Sequence, residues 1–245
     1  MKLIQLNIWQ GRLLNQAVKF LTEQDPDIIC LQELTSSDIK VPGFLETNTL
    51  QQLLQRLNLT HHSFAARWQY SLMGGTASYG LGTISRFPII DEKVVFTTGE
   101  YNGDMVYGRD ATNDMANALR TTIDAGDKTI DVYNHHGYWL PDPNGDATSI
   151  SSIANLATWA DQSHGPVIIA GDLNVWPQSP ALKALDQRFR NLTREAGAVS
   201  TLSRLGKFQL PCDYIFVNGT VRVQNFEVSE QLVSDHKALI LEFDL

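Results

Sequence analysis

Apolar residues recur along this chain in two rhythms. Short unbroken runs read as buried strands: Leu3-Ile4, Ile28-Ile29-Cys30-Leu31, Val167-Ile168-Ile169-Ala170 and Ala238-Leu239-Ile240-Leu241. Elsewhere the apolar positions repeat at helical spacing. Leu14, Ala17, Val18 and Leu21 predict a helix over 13–23, which Asp25-Pro26-Asp27 stops because proline restricts the residue before it. Leu50, Leu53, Leu54 and Leu57 predict a second helix over 50–59, and Ile150, Ile153, Ala154, Ala157 and Ala160 a third over 148–163. A shorter one is expected over 180–189, with Ser179 as its cap and Pro180 at its first position. Strands are expected over 2–9, 28–32, 80–84, 89–97, 119–124, 129–134, 167–170, 214–217, 221–228 and 238–243. Ala125-Gly126-Asp127-Lys128 closes a hairpin. Residues 99–117 have no period and are rich in Gly, Asn, Asp and Tyr, so they read as a long functional or mobile loop.

With no repeat or linker, one domain over 1–245 is expected. Hairpins set among alternating strands and helices argue for mixed sheets, so the expected class is α/β (α+β), two packed mixed sheets with helices outside. The 43% apolar content allows a substantial core without staples. The 27 Asp+Glu against 19 Lys+Arg give a net charge of -8. That balance argues against holding duplex nucleic acid mainly by phosphate attraction. It leaves a nuclease open, because a bound cation and a local basic rim can offset acidic ligands. Cys30 and Cys212 lie in apolar, strand-like segments and read as reduced core residues. The first residues carry no long apolar signal region, and no apolar stretch approaches a membrane span, so a cytoplasmic protein without an evident protein partner is expected.

Polar residues collect where the apolar runs meet their edges. Asn7 follows the first run, Glu33 the second, Asp172 and Asn174 the third, and Asp235-His236 precede the last. Metal-assisted phosphoester hydrolysis needs residues of this kind. A divalent cation neutralises the phosphate, a base takes a proton from water, and donors meet the growing charge. Hard Mg²⁺ prefers carboxylate oxygens. Each residue also has a plain alternative: Glu33 a solvated strand end, Asn7 a turn cap, Asp172 with Asn174 an Asx turn, Asp213 a turn aspartate. Residues two apart in extended chain share a side, which lets Asp172 and Asn174 converge. In Asn134-His135-His136 one imidazole could donate to phosphate while the other packs. Zinc is disfavoured there, with no third nitrogen or sulfur ligand at a helpful spacing. Asp213 could orient a histidine.

The ordered blocks resemble the endonuclease/exonuclease/phosphatase superfamily, metal-dependent phosphoesterases that include pancreatic-type deoxyribonucleases, abasic-site endonucleases, inositol polyphosphate 5-phosphatases and neutral sphingomyelinases. Leu6-Asn7-Ile8, Leu31-Gln32-Glu33, Gly82-Thr83-Ile84-Ser85-Arg86-Phe87-Pro88-Ile89, Asn134-His135-His136, Gly171-Asp172-Leu173-Asn174, Cys212-Asp213-Tyr214-Ile215 and Ser234-Asp235-His236 carry the likeness over nearly the whole chain. The resemblance implies a four-layer sandwich. It also implies Glu33 as main ligand of Mg²⁺, with Mn²⁺ as a substitute, and Asn7 and Asp235 close to the metal. Asp172 would activate water, Asn174 and His136 would contact phosphate, and His236, held by Asp213, would face the transition state. His135 stands where the family has threonine, which leaves two imidazoles to choose between; His136 is taken as the inward one. Tyr107, Arg109 and Trp139, on segments expected to frame the pocket, are candidates for substrate contact. The expected partner is a phosphate ester, with nucleic acid or nucleotide among the options. Alternatives are a repair-like or nonspecific nuclease, and an inactive binding module on the same fold.

Overall fold

The computed structural model describes residues 1–39, 48–72, 74–105 and 115–245. In chain order they form β1 (Lys2–Asn7), α1 (Leu14–Gln24), β2 (Ile28–Ser37), α2 (Thr49–Arg56), β3 (His61–Leu72), β4 (Gly75–Ser85), β5 (Ile89–Thr98), β6 (Asn102–Met105) and β7 (Ala116–Asp124). There follow β8 (Thr129–His136), α3 (Ala147–Ala160), β9 (Val167–Asp172), α4 (Lys183–Asp186), β10 (Arg190–Asn191), α5 (Leu192–Glu195), β11 (Asp213–Val217), β12 (Arg222–Val228) and β13 (Leu239–Asp244). One sheet runs β12-β13-β1-β2-β4-β3-β6, the other β10-β11-β9-β8-β7-β5. Both are mixed: β1 is parallel to β2 and β8 to β9, while β13 closes antiparallel onto β1. The expected pair of packed mixed sheets with outer helices is therefore present. No helix among the described residues is long and apolar enough to cross a membrane.

Strand alternation builds the layers. On β1, Ile4 and Leu6 face outward onto α1 and α2, while Leu3 faces the second sheet. On β2, Ile29 and Leu31 face outward and Ile28 and Cys30 inward. Ile169 and Tyr133 face α3 on the opposite flank, whereas Val132, Ile168 and Ala170 face inward. Following the inward positions along each strand gives three tiers. Leu3, Ile28, Val132, Ile168 and Ile215 make a dry floor. Gln5, Gln32, Asn134 and Asp213, all buried, make an amide-rich belt above it. Asn7 and His136, two residues beyond Gln5 and Asn134, and Asp172, two beyond Ala170, reach the rim.

Several expectations shift. β3 is not legible as a run because its buried positions are Ser63, Ala65, Arg67 and Trp68, without the branched apolar residues that mark strands. The 2–9 strand ends at Asn7, where Trp9 and Gln10 take φ of 52° and 53° and turn the chain. The 28–32 and 80–84 strands are longer, because β2 and β4 pair out to Ser37 and Ala77. The 180–189 helix is a 3₁₀ turn over Pro180–Leu182 followed by α4. Of the 99–117 loop, Asn102–Met105 pairs with β3 and Ala116 already belongs to β7. Tyr107 and Arg109 lie outside the described residues.

Candidate active site

Glu33 owes its aim to a fault in the ladder. Between the pairs Leu31–Gly82 and Leu34–Gly80, two residues of β2 oppose one of β4, a bulge that leaves Glu33 at φ 58°. Left-handed backbone at a non-glycine residue costs of order 1–3 kcal/mol. Asn174 (φ 55°) and Trp9 (φ 52°) share this strain, and all three line one cavity. Asn7 joins the acids. Its Nδ2 donates to Glu33 Oε1 at 3.2 Å and to Asp172 Oδ2 at 3.1 Å, while its Oδ1 accepts from the Trp9 amide. Asp172 Oδ1 accepts from the Asn174 N–H at 2.9 Å, and the Asn174 side chain donates to the Gly137 carbonyl. His136 and His236 each bring Nε2 to 3.7 Å from Asp172 Oδ2. His135 points the other way, its Nε2 on Thr97 Oγ1, as strand alternation requires once Asn134 faces inward.

The amide belt fixes the orientation of His236. Asn134 Nδ2 donates to the Leu31 and Gly82 carbonyls, so its Oδ1 accepts from Gln32 Nε2 at 2.7 Å. Gln32 Oε1 then accepts from Gln5 Nε2, which also donates to Asp213 Oδ1 at 2.9 Å. Two backbone carbonyls thus set the polarity of the whole relay, and Asp213 Oδ1 must accept. Thr201 Oγ1 accepts from the amides of Cys212 and Asp213 and so gives its proton to Asp213 Oδ2 at 2.7 Å. His236 Nδ1 donates to the same oxygen at 2.9 Å, which turns Nε2 toward Asp172.

Burial dominates the electrostatics. It raises the pKa of Glu33, with His236 and the Asn7 hydrogen bond opposing. It raises Asp235 as well, and it pushes Asp172 up to about 7, with the His236 charge opposing and Asp213 adding. His136 is held well below its ordinary value by burial and then by Arg67, so it is neutral. Burial also works against the His236 imidazolium, but the Asp213 and Asp172 carboxylates outweigh it and the pKa rises well above the usual range. The fully buried Arg67 lines the same cavity and approaches the Gly137 carbonyl at 3.4 Å; Glu33, Asp172 and Tyr79 support its charge against burial.

The cavity holds about 410 Å³, within the size range of small-ligand sites. Glu33, Arg67, His136, Asp172, Asn174, Asp235 and His236 line it. Trp139, expected to touch substrate, lines it as well. Asp213 stands behind His236, one layer from the opening.

The model of the endonuclease/exonuclease/phosphatase family matches residues 4–236. The chain belongs to that family. A UPF0294 protein of Klebsiella pneumoniae is 35% identical over 79 residues, which are 32% of this chain and 29% of that protein. The chain thus matches less than a third of that relative's length. Among solved structures, an endonuclease/exonuclease/phosphatase family protein from Leptotrichia buccalis superposes with TM-score 0.72 at 18% identity, covering 100% of both chains. A mannosyl-6-phosphatase from Bacteroides thetaiotaomicron gives 0.73 at 14% identity, again over 100% of both. At such identities the likeness is one of fold. Family members are hydrolases of phosphate esters, and the family generally uses a divalent metal.

Within this family frame, Glu33, Asn7, Asp172, Asn174, His136, Asp235, His236 and Asp213 all come together. Reading the sequence missed Arg67, the roles of Gln5, Gln32 and Asn134 in the belt, and the apolar residues Leu202, Leu205, Phe208 and Leu210, which also line the cavity. Gln5, Gln32 and Asn134 had a usable signal: polar residues at inward positions of otherwise apolar strands. Arg67 had none, because its strand was itself unread.

Proposed function

We propose that the chain hydrolyses phosphate esters with the help of a divalent cation, residues 1–245 acting as one catalytic domain. The observation that carries this is Asp172, buried between Asn7 and His236 and open to a cavity it shares with Glu33. Whether the residues suit a metal can be judged from the donors. Glu33, Asp172 and Asp235 line the same cavity, and burial raises the pKa of all three. With Asp213 behind them, these carboxylates outnumber the cations Arg67 and His236 and offer hard oxygens, which fits Mg²⁺, with Mn²⁺ as substitute. Asp172, Cys212 and His236 also place donor atoms within 4.8 Å of one another. A soft metal fits that trio poorly, because burial pushes the Cys212 thiol far up and Asp213 occupies His236 Nδ1.

Glu33 would hold the cation, with Asp235 beside it and Asn7 turning its amide nitrogen, not its oxygen, to both acids. The cation would neutralise phosphate charge and polarise the phosphorus–oxygen bonds. Asp172, with a pKa near neutrality, takes a proton from the attacking water. The water oxygen bonds to phosphorus as the ester P–O bond breaks. His236 carries the proton offered to the leaving oxygen, which departs as the alcohol, and the proton on Asp172 returns through solvent. Neutral His136, Asn174 and Arg67 would meet non-bridging oxygens.

The test is release of product from p-nitrophenyl phosphomonoesters and diesters, sugar phosphates and oligonucleotides with Mg²⁺ or Mn²⁺ and with chelator. Metal-dependent turnover lost in a folded Asp172→Ala variant is expected. No turnover on any substrate would refute the reading and favour a binding module; turnover on oligonucleotides alone would select the nuclease.

A further inference from the structure

The cavity that holds the acids also has an apolar lining. Trp9, Trp139 and Trp176 line it, together with Leu202, Leu205 and Phe208. Leu205 and Phe208 are 45% and 50% exposed, which is unusual for large apolar side chains that have a cavity to fill. Their segment is not loosely attached. The Thr201 amide donates to the Leu210 carbonyl and closes the loop, the Ser203 amide donates to Asp235 O, and Lys237 N donates to Thr201 O. Ser203 Oγ adds a bond to Ser234 O. The apolar wall is therefore fastened to the stretch that carries Asp235 and His236. The Trp176 amide bonds to the Pro143 carbonyl and ties two other lining segments together.

Beside these side chains and the polar residues already named, the lining includes one cation, Lys207. Trp176 Nε1 is buried without a partner and offers one donor. The cations of the segment, Arg204 and Lys207, are exposed at its surface, and between Ala196 and Cys212 no acid accompanies them. A sugar or a nucleobase would leave several hydroxyls or ring atoms unpaired against indole and leucine. A hydrocarbon chain leaves none. The polar lining fits a phosphate, and the two basic side chains favour an anion approaching from this side of an otherwise acidic protein.

We propose that this wall is the subsite for the alcohol part of the ester, and that this alcohol is a hydrocarbon chain. The substrate class is a soluble amphiphilic phosphate ester, not a nucleotide or a sugar phosphate. The assignment rests on the phosphate-ester reading above for its polar lining and goes beyond it at the apolar one.

Two measurements separate the readings. The first needs no turnover: tryptophan fluorescence titrations with methylphosphonate and hexylphosphonate in Mg²⁺. The second compares kcat/KM for ethyl, butyl and hexyl phosphate, glucose 6-phosphate and adenosine monophosphate. Each buried methylene is expected to gain up to about fourfold, so the hexyl ester should exceed the ethyl ester by roughly a hundredfold. In the double variant Leu205→Ser, Phe208→Ser the ratio of hexyl to ethyl should fall at least tenfold. Both residues are exposed, and near-ultraviolet circular dichroism checks the fold. Equal binding of the two phosphonates, or preference for the sugar or nucleotide with no dependence on chain length, overturns the subsite while leaving phosphate-ester hydrolysis intact. Chain-length-dependent binding with no ester hydrolysed keeps the subsite and overturns the hydrolytic reading instead. Co-sedimentation with phosphatidylglycerol vesicles, combined with indifference to monomer chain length, overturns the subsite and assigns the wall to a lipid surface.

Discussion

Replacing Asp213 by asparagine tests how the site is held. Asp213 is fully buried, and all its side-chain partners are donors: Gln5 Nε2 at 2.9 Å on Oδ1, and Thr201 Oγ1 at 2.7 Å, His236 Nδ1 at 2.9 Å and the Cys212 thiol at 3.5 Å on Oδ2. None can readily reverse. Gln5 is fixed through Gln32 and Asn134 by two backbone carbonyls, and Thr201 by the two amides it accepts. An Asp213→Asn amide must aim its NH₂ at one set of donors. Turning it toward Gln5 sacrifices one hydrogen bond and keeps those on the other oxygen, so the expected loss of stability is about 1–3 kcal/mol. The larger effect falls on His236. Its pKa lies well above the ordinary value because the Asp213 and Asp172 charges outweigh burial. With Asp213 neutral the imidazolium becomes harder to keep, and its titration moves to lower pH. Loss of a comparable orienting carboxylate lowers turnover by about 10²–10⁴. Urea unfolding gives the stability term, imidazole NMR of His236 the titration, and steady-state kinetics the turnover. A folded Asp213→Asn protein whose His236 titrates unchanged, with kcat within a factor of about two, would refute the reasoning.

Two further outcomes follow from buried groups away from the cavity. Burial depresses the pKa of His135 to about 3, so the folded state resists a proton that the unfolded chain takes near pH 6.5. Stability from this residue is full above about pH 6.5 and is lost as pH falls toward 3, by at most ~5 kcal/mol. Denaturant titrations across that range should show a shallower slope in His135→Thr; an identical slope removes His135 as the cause. At Gly171 an added Cβ would lie 1.9 Å from the His135 carbonyl oxygen, inside the β8–β9 ladder. Gly171→Ala should therefore cost about 3 kcal/mol or more and disturb the neighbouring Asp172. Urea midpoints within error of wild type would show that the strands part freely.

What the sequence determined by itself is local. Period-two and period-3.6 burial reports which face of a segment is covered, so the apolar runs and the three longer helices could be read off, and with them the polar residues at the strand edges. Strand parity even decides between His135 and His136, given that Asn134 faces inward. Tertiary structure alone decided who meets whom. Gln5 bonds to Asp213 across 208 residues, and no local pattern encodes that distance. The bulge that turns Glu33 inward is a mismatch between two strands and not a property of either. Arg67 lies on a strand without a branched apolar run, held between β4 and β6. The wall of Leu202, Leu205 and Phe208 has neither period. It gains its place from hydrogen bonds to Asp235 and Lys237, partners that only the closed sandwich brings within reach.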